Sequence, residues 1–284
     1  MIPPKARYLA AALALAWAGP ARASGVLAVL SSDSAHYRQA YEGFQEAWGS
    51  SVPAVMAGSV PPGERDAIVA FGSRAAQSLE AQSPLLVTCL APGAVPGRAG
   101  ATIRVSLLPP ETVLADRLKA LLPRLQKVRV LWTSEFERGE VSELSAAAKE
   151  RGFLVISERI ENPEDLPARL RGFSERADAL WLMPDPALVN AQNFKTLREY
   201  AKAARVPFLA PTEGLAERGA TATVAVSFRD IGRAAAAALK ARLQGVAGPD
   251  HVHPDRVVVT VNASEARDVG MDLSAAGGVD RTIP

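Results

Sequence analysis

With 284 residues, 32 Lys plus Arg against 30 Asp plus Glu and a formal net charge of +2, the chain is long enough to bury a sizeable core and is nearly balanced in charge. Its basic residues are interspersed with acids, as in RLRGFSER at 169–176, so neither nucleic acid nor an anionic membrane surface is an expected partner. A single cysteine, Cys89, excludes an internal disulfide.

The N-terminus reads as an export signal. Lys5 and Arg7 precede an apolar run at residues 8–18 (YLAAALALAWA), and Ala21-Arg22-Ala23 supplies small residues for cleavage after Ala23. The run breaks at Gly19-Pro20, short of the ~20 apolar residues a spanning helix needs, so removal rather than anchoring is expected. No cysteine stands near the cleavage point to carry a lipid, and a soluble mature chain is expected in a periplasm or outside the cell. Removing residues 1–23 takes away three basic residues and no acid, leaving 29 basic against 30 acidic residues.

Residues 26–30 (VLAVL) form the first predicted strand, and Ser31, Ser32, Asp33 and Ser34 offer cap oxygens for a helix reaching about Trp48. Tyr37, Tyr41, Phe44 and Trp48 share one face of that helix, a stripe expected to pack in the core rather than to floor a stacking site. A second strand is expected within 51–56, followed by a stretch at 58–66 (GSVPPGERD) with no room for a crossover helix. Residues 68–71 form the third strand, Gly72-Ser73 leads into a helix at 74–81, and residues 85–90 form the fourth strand. Pro109-Pro110 punctuates the chain before a helix from Glu111 to about Leu122.

From residue 128 the chain repeats one unit, a short apolar run followed by a helix-patterned segment. The runs are 128–132 (VRVLW), 153–157 (FLVIS), 179–183 (ALWLM), 206–210 (VPFLA), 221–226 (TATVAV) and 257–261 (VVVTV). Continuous apolar runs of this length suit strands buried on both faces of a parallel sheet, which makes the fold class α/β. Asn162-Pro163-Glu164-Asp165 is a helix start, 186–204 and 229–243 are long helices, and Asn262 caps a short helix at 263–269. The tail from Asp272 has no such pattern and is expected to be loosely ordered.

Residues 68–79 (IVAFGSRAAQSL), Leu122-Pro123 with 128–132, 177–186 (ADALWLMPDP), Phe228-Arg229-Asp230-Ile231-Gly232 within 219–245, and Val261-Asn262-Ala263 with Gly270 resemble the ABC-importer substrate-binding proteins. The resemblance is to the branch that includes tryptophan and tyrosine binders, and it covers the mature chain, most closely after Leu107. It implies a type I periplasmic-binding-protein architecture: two Rossmann-like lobes with parallel sheets, joined by three crossings, with an interlobe cleft. One lobe would comprise 24–108 plus 229–248 and the other 109–228 plus 249–274, with 275–284 as a tail. The implied partners are a small-molecule ligand, amino-acid-like in character, and an ABC importer permease; the alternative is a scaffold or sensing module for a membrane sensor protein. The chain is expected to act as a monomer without a cofactor. Relatives of this kind have a helix between their second and third strands and a longer loop after the fourth, so the contracted stretches at 58–66 and 92–100 imply a reduced cleft wall.

Open α/β sheets bind ligands at the carboxyl ends of their strands, where helix N-termini present free N–H groups. Gly72 and Ser73 stand between strand and helix in one lobe, and Ser31-Ser32 and Thr133-Ser134 hold equivalent places, either as ligand contacts or as ordinary helix caps. Asp185 matches an acid that the resemblance places at a strand end, where it would pair with a ligand ammonium group; it equally reads as a cap before Pro186. Thr212 and Glu213 follow the next strand, with Glu213 also readable as a first-turn acid.

Motifs for catalysis are sparse. His251 and His253 in DHVHPD lack the further ligands a zinc site needs and are expected to form a polar connector between lobes. His36 is placed on a helix, and Cys89 is expected to be a buried hydrophobe. With no GxSxG elbow and no phosphate-binding loop, a binding protein is expected rather than an enzyme, with no catalytic residue and no metal.

Overall fold

A computed structural model describes residues 25–63, 65–79, 85–93 and 101–284; the expected export signal at 1–23 and part of the contracted loop at 92–100 lie outside them. The first lobe opens with β1 (Val26–Leu30), α1 (Ala35–Trp48), β2 (Ala54–Met56), β3 (Ala67–Phe71), α2 (Ser73–Gln77), β4 (Leu85–Cys89) and β5 (Ala101–Val105). The chain then crosses to the second lobe with α3 (Glu111–Leu121), β6 (Lys127–Trp132), α4 (Arg138–Glu150), β7 (Leu154–Arg159), α5 (Leu166–Gly172), β8 (Ala179–Leu182), α6 (Ala191–Ala204), β9 (Phe208–Ala210), α7 (Gly214–Glu217) and β10 (Ala222–Val226). It returns as α8 (Phe228–Leu243) and β11 (His251–Val252), then crosses back as β12 (Val257–Asn262), α9 (Ala263–Asp268) and β13 (Arg281–Ile283).

Within the described residues one sheet has the order β11-β5-β4-β3-β1-β2 and the other β13-β12-β10-β9-β8-β6-β7. In both, the strand order reverses beside the first strand of the lobe, at β1/β3 and at β6/β8, which are the crevices where doubly wound sheets take their ligands. β1, β3 and β4 are buried along their whole length, as strands covered on both faces should be. The aromatic stripe of α1 is core: Phe44 stacks on Trp48 at 5.6 Å between centroids and meets Phe71 edge-on, while the Tyr41 hydroxyl donates to Val52 O at 2.5 Å.

Helix α8 is fastened to α1 through glycines. A Cβ on Gly232 would overlap the Ala40 carbonyl oxygen, and one on Gly43 would overlap that of Arg229, so the two backbones meet without side chains between them. Arg229 bridges Glu42 and Glu46 on the same seam, and Arg233 adds bonds to Glu46 and Asp230.

Several sequence-based expectations are corrected. β5 was not anticipated, because its outward Thr102 and Arg104 interrupt the apolar run. Residues 249–274 do not all join the second sheet: His251-Val252 pair in parallel with β5 at the edge of the first, because the chain leaving α8 runs along that edge before crossing. The second sheet is parallel as expected except at one pairing, where β12 enters from the opposite direction and runs antiparallel to β10. The tail is ordered by β12, whose free edge takes up β13. Helix α6 starts at Ala191 under an Asn190 cap, not at Pro186, because residues 185–189 are occupied by a separate turn around Asp185. Among the described residues no helix is long and apolar enough to cross a membrane.

Candidate ligand cleft

The carboxyl ends of the two sheets approach each other where β4 and β6 finish. An added Cβ on Gly93, just past β4, would lie 4.0 Å from the Ser134 hydroxyl at the end of β6. A small cavity of about 20 Å³ between the lobes is walled by Pro92, Gly93 and Ser106 of one and by Glu137, Glu140 and Pro184 of the other. A larger cavity of about 220 Å³ lies further along, between Gln39 of α1 and the 212–217 segment, with Phe228, Thr260 and Arg281 in its wall.

On the first lobe the polar groups largely serve one another. The Ser31 hydroxyl accepts the Ala75 N–H at 2.9 Å, Gly72 N–H donates to Cys89 O at 2.7 Å, and the Ser73 hydroxyl donates to Pro92 O at 3.4 Å. Gly72 has φ +101°, and a Cβ there would strike the Ser31 hydroxyl and the Tyr37 ring, so glycine is required on both counts. Ser32 is exposed and donates to Ser34, which in turn contacts His36. Helix α2 is only one turn long and Ser31 already takes one of its first N–H groups, so the anticipated carboxylate receptor at Gly72-Ser73 is partly filled from within.

On the second lobe Asp185 is 2% exposed and fully engaged. One carboxylate oxygen accepts the Thr133 N–H at 2.7 Å and its hydroxyl at 2.5 Å, and the other accepts the Ala187 N–H at 2.9 Å. It ties the end of β6 to the turn after β8, and so combines the capping role with a cross-link that sequence spacing does not reveal. Thr212 and Glu213 line the larger cavity, where Glu213 meets Arg281 at 3.4 Å. The nine sequence-derived positions therefore divide between the two switch points and that cavity.

Glu137, at the N-terminus of α4, was not singled out from sequence, since an acid there reads as an ordinary complement to the helix dipole. It is 3% exposed and lines the small cavity, and neither carboxyl oxygen completes a hydrogen bond of normal geometry, its nearest polar neighbours being the Asp185 carboxylate and the Ser134 backbone. Burial first, and the Asp185 charge second, push its carboxyl up to about 8.

Behind the cleft, at the crossing, charged groups gather. Arg104 contacts His251 Nδ1 at 3.1 Å, His251 Nε2 lies 3.4 Å from Glu140, and His253 Nδ1 donates to Leu108 O at 3.1 Å. Burial, then Arg104, pushes His251 down to about 4, so the imidazole is neutral. The two histidines thus sit in the connector, with rings 4.4 Å apart. Among the described residues no three His, Cys, Asp or Glu side chains converge as a metal set. Cys89 is buried, and desolvation raises its thiol above the ordinary value.

The family described as ABC transporter substrate binding protein matches residues 111–274. An uncharacterized protein of Rickettsia prowazekii (strain Madrid E) is 29% identical over 158 residues, 54% of this chain and 52% of its own length, so the chain spans about half the length of that curated relative. Among solved structures, an ABC domain in complex with L-Trp from Streptococcus pneumonia superposes with a TM-score of 0.63 at 16% identity, covering 91% of this chain and 99% of the other. A ligand-free, open substrate-binding protein with adhesive properties from Clostridium difficile gives 0.60 at 17% identity with the same coverage. These structures establish the two-lobed type I periplasmic-binding-protein fold, and the family match extends over more than half of the chain. The chain belongs to the ABC transporter substrate binding protein family.

Proposed function

We propose that this protein is an exported, monomeric solute receptor that captures a small, amino-acid-like solute between its lobes and delivers it to an ABC importer permease. Residues 1–23 would direct export and be removed, leaving the receptor in the periplasm. The observation that carries the reading is the approach of the β4 end in one lobe to the β6 end in the other, at Gly93 and Ser134, together with a cavity of about 220 Å³ between α1 and the 212–217 segment. Ser32, Ser134, Thr212 and Glu213 supply polar contacts on its walls, while Ser31, Gly72, Ser73, Thr133 and Asp185 hold those walls in shape. Ligand chemistry in this reading is recognition and release, without turnover. L-Trp in a relative of the same fold supports an amino-acid-like solute.

A second reading, a scaffold or sensing module for a membrane sensor protein, is favoured by the tightness of the cleft between β4 and α4, where about 20 Å³ admits a single water. Mass spectrometry of material released from gently purified protein separates the two. A stoichiometric solute, with compaction in small-angle scattering when it is added back, supports the receptor. A protein that carries nothing and does not change dimensions with any solute supports the scaffold.

A further inference from the structure

We propose that Glu137 receives the ammonium group of the captured solute, with Asp185 holding the Thr133 loop in place behind it. The inference rests on the receptor reading above and specifies its ligand class: solutes that carry a protonated amine.

Among the described residues, Glu137 is the carboxyl group with both oxygens buried and neither hydrogen-bonded. Leaving such a group without donors is costly, and buried carboxyls in folded proteins either find donors, take up a proton or meet a cation. Of the neighbouring donors, Thr133 N–H, Thr133 hydroxyl and Ala187 N–H all go to Asp185, and the Ser134 backbone lies close without completing a hydrogen bond to Glu137. Glu137 borders a cavity shared by both lobes, so its missing partner belongs to whatever enters when the lobes part. An anion is disfavoured there, because Asp185 and Glu140 stand beside Glu137. A metal ion is disfavoured because these carboxyls do not converge as a ligand set among the described residues, Asp185 being held by Thr133 and Ala187. An ammonium group supplies three donors and a positive charge to a site that offers acceptors and negative charge.

The charged groups facing Glu137 come from each element around it: Glu140 on its own helix, Asp185 from the turn after β8, and Arg104 from β5 with His251 behind it. In the unliganded protein at neutral pH the raised Glu137 carboxyl keeps its proton. When an ammonium group arrives, Glu137 ionises, the proton leaves to solvent, and the amine keeps all of its own protons. Uptake of the solute is therefore coupled to proton release.

The test uses the mature chain and calorimetry with the standard amino acids and putrescine, each beside an analogue in which hydrogen or hydroxyl replaces the amine, together with D-glucose and D-ribose. The expected result is binding of an amine-bearing solute but not its deaminated analogue, with a proton released in buffers of differing ionisation heat near neutral pH. Glu137→Gln, an isostere of the protonated acid that should fold normally, is expected to weaken that binding by about tenfold or more and abolish the proton release. Binding of a sugar or a deaminated acid, or amine binding equal in Glu137→Gln, overturns the assignment of Glu137 while leaving the receptor reading intact. No binding by any member of the panel counts against both.

Discussion

Thr133 and Asp185, separated by 52 positions in sequence, are joined by two hydrogen bonds to one buried carboxylate oxygen, which locks the β6 end to the β8 end. Replacing Asp185 with Asn exchanges an acceptor-only group for one that must turn an N–H₂ toward existing donors. Asp185→Asn is therefore expected to destabilise the fold by about 2 kcal/mol, read as a lower denaturation midpoint with an unchanged slope. An unchanged midpoint would show that the cross-link contributes nothing, and would return Asp185 to the role of a free ligand contact.

The seam between α1 and α8 carries a second prediction. A methyl group on Gly232 has no space against the Ala40 carbonyl, and the obstacle is backbone rather than a flexible side-chain tip. Gly232→Ala should force the helices apart and cost about 2 kcal/mol or more, despite the better helix propensity of alanine. Gly139→Ala is its control, since a Cβ there meets nothing within 4 Å. Equal thermal midpoints for the two variants would mean that the seam relaxes without penalty.

Much of the fold was legible because its strands are continuous apolar runs and its caps carry side-chain acceptors, as Asn162 and Asn262 do. The short pairings were not legible: His251-Val252 and Arg281–Ile283 are strands only because a neighbouring edge recruits them. Candidate positions at the strand ends followed from the α/β rule, but the distribution of their hydrogen bonds did not. Whether Asp185 caps, cross-links or waits for a ligand depends on Thr133 approaching from another strand. Glu137 was missed for the same reason: residues distant in sequence, Pro92 and Gly93 from the other lobe and Pro184 and Asp185 from the turn after β8, gather around a residue that local sequence places at a solvated helix start.

Stability should depend on pH through two oppositely shifted groups. Glu137 is pushed from 4.5 up to about 8, so between those values the folded chain holds a proton that the unfolded chain has released. Stability from this group is complete below about 4.5 and falls as pH rises toward 8. Burial raises Glu140 and Glu111 as well, which adds to the same slope. His251 is pushed from 6.5 down to about 4, so its contribution is complete above 6.5 and is lost as pH falls through that interval. Urea unfolding should show lower stability near pH 8 than near 6.5, and Glu137→Gln should reduce that loss. An identical alkaline slope in Glu137→Gln would mean that Glu137 is ionised in the folded protein.

The C-terminal strand couples fold and cavity in three residues. β13 satisfies the outer edge of β12 through the register Thr260 to Arg281, Val261 to Thr282 and Asn262 to Ile283. Its Arg281 also meets Glu213 across the larger cavity, whose wall includes Ile283. Deleting residues 281–284 would leave β12 with unpaired backbone groups, but those groups would then face water rather than protein. The loss should be modest, about 1 to 2 kcal/mol, and local. Hydrogen exchange is expected to accelerate at residues 260–262 while the amides of β1 and β3 remain protected. Arg281→Ala separates the charge from the strand: with the pairing intact, exchange at 260–262 should stay slow, while Glu213 loses its partner and becomes available to a cationic solute. If Arg281→Ala speeds exchange as much as the deletion does, the ion pair rather than the backbone ladder holds the strand in place.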